Sequence, residues 1–174
     1  MRTLKILLFE LEACDEAKDW TKKMTIEEAL KKCQLADWIL WIAEAVNVDI
    51  RLLTLAKGLC ANTVRHLMTD ERSINAVDAA IRFGKGEIDA RELKFFFNSA
   101  LYAYIKTERN SLENYAAYAA YASTGFTRAY YMAAYASECF TDPVTNVANQ
   151  LETAEICREV LGTLIINNVN KLLK

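Results

Sequence analysis

Apolar residues return every three or four positions along most of this chain, and the strict alternation of a half-buried strand is nearly absent. Only Thr3 to Phe9 could pass for a strand, and its flanks read better as helix. The periodicity divides into helices over about 3–12, 14–23, 26–33, 37–47, 50–68, 72–84, 89–108, 111–123, 126–140 and 143–173. One proline and five glycines in 174 residues leave few breakers, and no stretch rich in Pro, Gly or Ser divides the chain. Short connections favour antiparallel hairpins or a stacked array. The pattern therefore predicts an all-α fold: a single domain over residues 1–174, built from about nine to ten helices and closed by a long C-terminal helix.

Helix-start signals repeat. Thr25-x-x-Glu28, Asp89-x-x-Glu92 and Asn110-x-x-Glu113 resemble capping boxes, in which a short side chain accepts from an early helix N–H while a carboxylate reaches back. Asp142 is the expected N-cap of the last helix, with Pro143 at its first position, where a missing N–H does no harm. Val144, Val147, Leu151, Ala154, Leu161, Ile165, Val169 and Leu172 form a stripe on that helix, with Cys157 close to it. Asn149, Glu152, Glu155, Glu159 and Asn170 fall mostly off the stripe. Thirty residues at 1.5 Å each span about 45 Å, so this helix is expected to brace the domain. Gly162 within it reads as a close helix approach or a bend.

The stretch Asn114 to Pro143 is dominated at first by Ala and Tyr. On a helix, Tyr115, Tyr118 and Tyr121 share one side and Ala116, Ala119 and Ala120 another. Tyr130, Tyr131 and Tyr135 follow beyond a break expected at Ser123-Thr124-Gly125. Two readings stand: both faces buried in a tight array, or a tyrosine face partly exposed as a partner-binding surface, since tyrosine is enriched at binding hot spots. Arg128 and Glu138 interrupt the stretch and argue against membrane insertion.

Composition narrows the function class. The 53% hydrophobic and 25% charged residues are ordinary for a globular protein that needs neither disulfide nor metal to fold. A formal net charge of −2 argues against non-specific nucleic-acid binding, which draws on an excess of Lys and Arg. No run approaches eighteen uncharged apolar residues, so no membrane span is expected. The N-terminal apolar run, Ile6 to Phe9, is too short for a signal peptide, and a cytoplasmic location follows. Cys14, Cys33, Cys60, Cys139 and Cys157 are odd in number and contain no C-x-x-C, which fits reduced thiols.

Reactive constellations are scarce. His66 is the only histidine; six residues after Cys60, it falls on a different face of the expected helix, so the two form no dyad there. Metal-ligand spacings are missing, and no cofactor is implied. Asp15-Glu16, Glu27-Glu28 and Asp70-Glu71 sit at expected helix starts, where the dipole favours negative charge. Gly84-Lys85-Gly86 reads as a helix C-cap and turn rather than a phosphate loop. Lys22-Lys23 and Lys31-Lys32 read as solvated surface. In D-W-I-L-W, Asp37 is the expected cap, while Trp38 and Trp41 are expected core anchors, with a ligand groove the sharper alternative and Trp20 a third member.

Taken in order, these motifs resemble a known family. The run is E-A-C-D-E-A-K-D-W (12–20), E-E-A-L-K-K-C-Q-L-A-D-W-I-L-W-I-A (27–43), L-T-L-A-K-G-L-C-A (53–61), D-E-R-S-I-N-A-V (70–77), G-E-I-D-A-R-E-L (86–93), the Ala/Tyr region, and E-I-C-R-E-V-L (155–161). This order is similar to the helical family called predicted immunity protein five, whose members sit beside toxin genes in bacterial polymorphic toxin systems and have uncharacterised phage and bacterial relatives. Leu30, Ala36 and Ser73 depart from the Trp, Gly and Pro that members often carry at those places. The matching residues Cys14, Trp20, Asp37, Trp38, Trp41, Asp70, Arg72 and Gly86 are read as structural. The resemblance implies a non-enzymatic protein that binds and neutralises a cognate toxin in the producing cell. The alternative is a self-assembling structural or adaptor protein of phage or mobile-element origin; an enzyme assembled from separate helices stands third.

Overall fold

The computed structural model describes residues 3–126, 136 and 142–174. Among them lie nine α-helices and no strand: α1 (Leu4–Glu10), α2 (Asp15–Trp20), α3 (Ile26–Lys32), α4 (Ala36–Ala45), α5 (Ile50–Asn62), α6 (Glu71–Gly84), α7 (Ala90–Lys106), α8 (Leu112–Thr124) and α9 (Pro143–Leu172). The all-α array with a long last helix is as expected. Of the helix expected over 126–140 only Phe126 and Ala136 are described, and Tyr130, Tyr131, Tyr135 and Cys139 lie outside the described residues. The helix expected over 50–68 is shorter: α5 stops at Asn62, and a single 3-10 turn, Arg65–Leu67, follows.

Capping explains most boundaries. Thr25 and Glu28 form the expected reciprocal box, with Thr25 Oγ1 accepting from Glu28 N at 3.2 Å and Thr25 N donating to Glu28 Oε2 at 3.0 Å. Asp142 accepts from Thr145 N at 2.8 Å, with Pro143 just inside. Asp89 accepts from Arg91 N and Glu92 N, but the Glu92 carboxylate lies 3.5 Å from Arg82. Two expected caps are displaced by one or two positions. Ser111, not Asn110, caps α8, because Asn110 takes a left-handed φ of 63° and turns the chain into it. Leu35, not Asp37, stands at the N-cap of α4, and Asp37 lies in the first turn.

Three helix ends close with the same backbone motif. Beyond α6, Gly86 has φ 80°, its N–H bonds Phe83 O at 3.0 Å, and Glu87 N bonds Arg82 O at 2.9 Å. Glu12 after α1 and Asn47 after α4 repeat this pairing with φ 58° and 55°. Asparagine tolerates the left-handed region and glycine has no Cβ to resist it; glutamate does neither.

α5 and α6 run antiparallel. Arg51, early in α5, donates to Phe83 O at 2.8 Å at the end of α6 and stacks over the Phe83 ring. Arg82 reaches Glu92 from α6 to the start of α7. One large core joins α1 to α6, α8 and α9, and a small satellite of Ala79, Phe83, Ile88 and Leu93 lies between α6 and α7.

α9 does brace the domain, but partly through residues that periodicity assigned to solvent. Asn149 is buried and its amide donates to Thr63 Oγ1 at 2.9 Å. Arg158 donates to Cys33 O, Asn168 to Val46 O at 3.0 Å and Asn170 to Glu27 at 3.0 Å. Ala154, Cys157, Leu161, Ile165 and Val169 are fully buried, as expected. Val144, Val147, Leu151 and Leu172 are exposed instead, so the buried stripe is confined to the middle of the helix. Among the described residues nothing lies within 4 Å of a Cβ built on Gly162, so no close approach of a described helix explains that glycine.

Candidate functional site

Two features stand out, on different parts of the molecule. The first is a cavity of about 390 Å³ bounded by α1 to α4. Cys14, Trp20, Asp37, Trp38 and Trp41 all line it. These five of the eight motif residues, scattered over 28 positions of sequence, thus converge on one place. Leu4, Leu8, Ala17, Ile26, Leu30 and Ile42 complete much of the apolar wall. The tryptophans are half-buried, with Trp20 and Trp38 meeting edge to face at 5.7 Å between ring centroids. They are therefore walls of a pocket as well as supports of the core.

Polar lining is sparse. Asp37 accepts from Trp38 N at 2.9 Å, and burial nevertheless raises its carboxyl above the usual range. Cys33 is buried, with its thiol toward Leu35 O at 3.4 Å and pushed up by desolvation. Cys14 is exposed, at the N-cap of α2.

The second feature is the tyrosine face. The alanine side of α8 is buried as expected: Ala116, Ala117, Ala119 and Ala120 are essentially inaccessible. Tyr115, Tyr118 and Tyr121 are half-buried. Tyr115 packs on the main core, whereas Tyr118 and Tyr121 form a ladder with α7. Tyr104 meets Tyr118 at 5.0 Å and stacks nearly parallel to Tyr121 at 6.2 Å, and Phe97 meets Tyr121 at 4.7 Å. Neither sequence alternative is complete, since the tyrosines face another helix and solvent at once.

The ladder continues outward onto α7, which periodicity alone did not single out. Phe95, Tyr102 and Ile105 are 66%, 64% and 65% exposed. Their spacings of seven and three residues hold them within an arc of about 80° on one helix face. Leu101, half-buried, lies between them and the ladder side, while exposed Arg91, Lys94 and Lys106 flank the arc. The signal was available in F-F-F-N-S-A-L-Y-A-Y-I, which has more aromatic residues than one buried face can hold.

The remaining motif residues are structural. Asp70 caps α6 through Arg72 N and grips the Arg72 guanidinium, with Nε 2.9 Å from Oδ1, which holds the carboxyl down at about 2. Gly86 supplies the left-handed turn described above. His66 is exposed in the 3-10 turn, and Cys60 is fully buried against Cys157, Sγ to Sγ 3.6 Å. One buried charge was missed: Lys57 of α5 is inaccessible to solvent and donates to Gly125 O, at the C-terminus of α8. Desolvation pulls its ammonium down to about 8, offset in part by Glu44.

Among the described residues no helix is long and apolar enough to cross a membrane, and no group of His, Cys, Asp or Glu is placed to hold a metal ion. No protein-family model, curated protein or solved structure matches the chain, so the family resemblance rests on its motifs alone.

Proposed function

We propose that this chain is a partner-binding module, an immunity protein that neutralises a cognate toxin in the cytoplasm of the producing cell. The partner seats on the outer face of α7 and the adjoining tyrosines of α8. One observation carries this reading: Phe95, Tyr102 and Ile105, each about two-thirds exposed, lie on a single helix face continuous with the aromatic ladder. Leaving three large apolar side chains in water on one face forgoes burial free energy that a partner would recover. Aromatic residues in such a patch act as binding anchors, and Lys94 and Lys106 beside them favour a partner with an acidic rim. The toxin as partner comes from the motif order, and the place of contact from the exposed face.

The test is to titrate any toxin that a neighbouring gene encodes against wild type and the triple variant Phe95→Ala, Tyr102→Ala, Ile105→Ala. Binding is expected to weaken by about 100-fold or more. These side chains are outside the core, so the variant should keep its helical signal and melting temperature. Equal affinity, or no complex with wild type, would remove the proposal's support. If light scattering finds a homo-oligomer that the triple variant dissolves, the face serves self-assembly instead.

A further inference from the structure

We infer that the cavity bounded by α1 to α4 is a binding site for a small cationic amphiphile, an amine or quaternary ammonium on a compact apolar body. This inference is independent of the toxin-binding proposal and concerns a different part of the molecule.

The cavity's size fits a ligand. About 390 Å³ is far more than a packing void, and lies at the low end of the roughly 300–1,000 Å³ of small-molecule sites. Its chemistry selects the class. All three tryptophans of the chain line it, and the Trp20 and Trp38 planes cross at 67°. Differently oriented indoles allow a cation to meet the electron-rich face of one ring while an apolar body packs on another.

Charge complementarity decides the sign. Among the described residues of the lining, Glu12 and Asp37 are the only charged side chains, and both are acids. Lys18, nearby on α2, is held by Asp15 at 2.7 Å, and Arg158 is held by Glu155 and the Cys33 carbonyl. An anion would meet two carboxylates and no base among the described residues of the wall. A neutral apolar molecule would fill the walls but leave both acids unmatched. A cation satisfies both features, and Glu12 joins the lining as an exposed residue of the left-handed turn after α1.

The tryptophans make the test simple, because indole emission comes only from residues that line the site. Wild-type protein is titrated with benzyltrimethylammonium, its uncharged carbon isostere neopentylbenzene, and phenylacetate, following emission excited at 295 nm (about the red edge of indole absorption, where the probes are dark). The expected result is saturable change with the ammonium, about tenfold tighter than with the neutral isostere, and none with phenylacetate. Asp37→Asn and Glu12→Gln are each expected to shrink that preference. Glu12 is exposed, so Glu12→Gln remains informative if Asp37→Asn unfolds. Equal binding of the ammonium and the neutral isostere would overturn the inference, as would tighter binding of phenylacetate or no saturable change with the ammonium.

Discussion

Gly84→Ala is expected to destabilise the protein by about 3 kcal/mol, the upper end of the usual overpacking range. A Cβ at this position would lie 2.4 Å from Leu55 Cβ, 2.8 Å from Leu55 Cα and 3.0 Å from Arg51 O. Two of those atoms are backbone, so no rotamer change relieves the clash, and α5 and α6 must separate. Separation would also pull Phe83 O away from the Arg51 guanidinium, which now holds it at 2.8 Å. For a chain of this length the loss corresponds to a drop of about 10 °C in melting temperature. Gly162→Ala is the control: its Cβ meets no described residue within 4 Å, so propensity alone should stabilise by up to about 1 kcal/mol. Chemical denaturation of the two variants reads both. A Gly84→Ala protein as stable as wild type would mean that α5 and α6 are not in this close contact.

The second large effect is a rise in stability with pH that is due to Lys57. Its ammonium titrates at about 8 in the folded chain against an ordinary 10.5. Below pH 8 both states hold the proton, and the folded state carries the full desolvation cost. Between about 8 and 10.5 the unfolded chain still binds the proton that the folded chain has released, so stability rises across that window. Above it both states are neutral and the cost is gone. The window is worth about 3 kcal/mol at ~1.4 kcal/mol per pH unit. Tyrosines and cysteines titrate there too, so the quantity to measure is wild type minus Lys57→Met. That difference should climb in favour of wild type between pH 7.5 and 10.5 (about the span of the titration). Parallel profiles would contradict the burial of a charged Lys57. The position itself has a cause: Gly125 O stands at the negative end of the α8 dipole, a favourable place for a cation.

Helix existence was legible because capping and periodicity are local. Thr25, Asp89 and Asp142 stand in sequence beside the N–H groups that they cap. Errors arose where a tertiary contact outbid a local pattern. Asn149 looked solvent-facing on the period of α9, yet Thr63 on α5 gives its amide a buried partner. Val144 and Val147 matched the stripe, but no described core residue covers them. The cavity was only half legible. The aromatic cluster of Trp38 and Trp41 with Trp20 was visible, whereas its convergence with Cys14 depends on how α1 and α2 fold back over α4. Lys57 left no trace, since a lysine between Ala56 and Gly58 reads as a surface residue until its helix is placed.

Whether a partner seats on the outer face of α7 can be read from amide hydrogen exchange. The protein would be measured alone and with any toxin that a neighbouring gene encodes. Slowed exchange is predicted in α7 and α8, centred on the turns that carry Tyr102, Ile105 and Tyr118, with α3, α4 and the middle of α9 unchanged. Protection concentrated on α1 to α4, or spread over α9 with α7 unaffected, would contradict it.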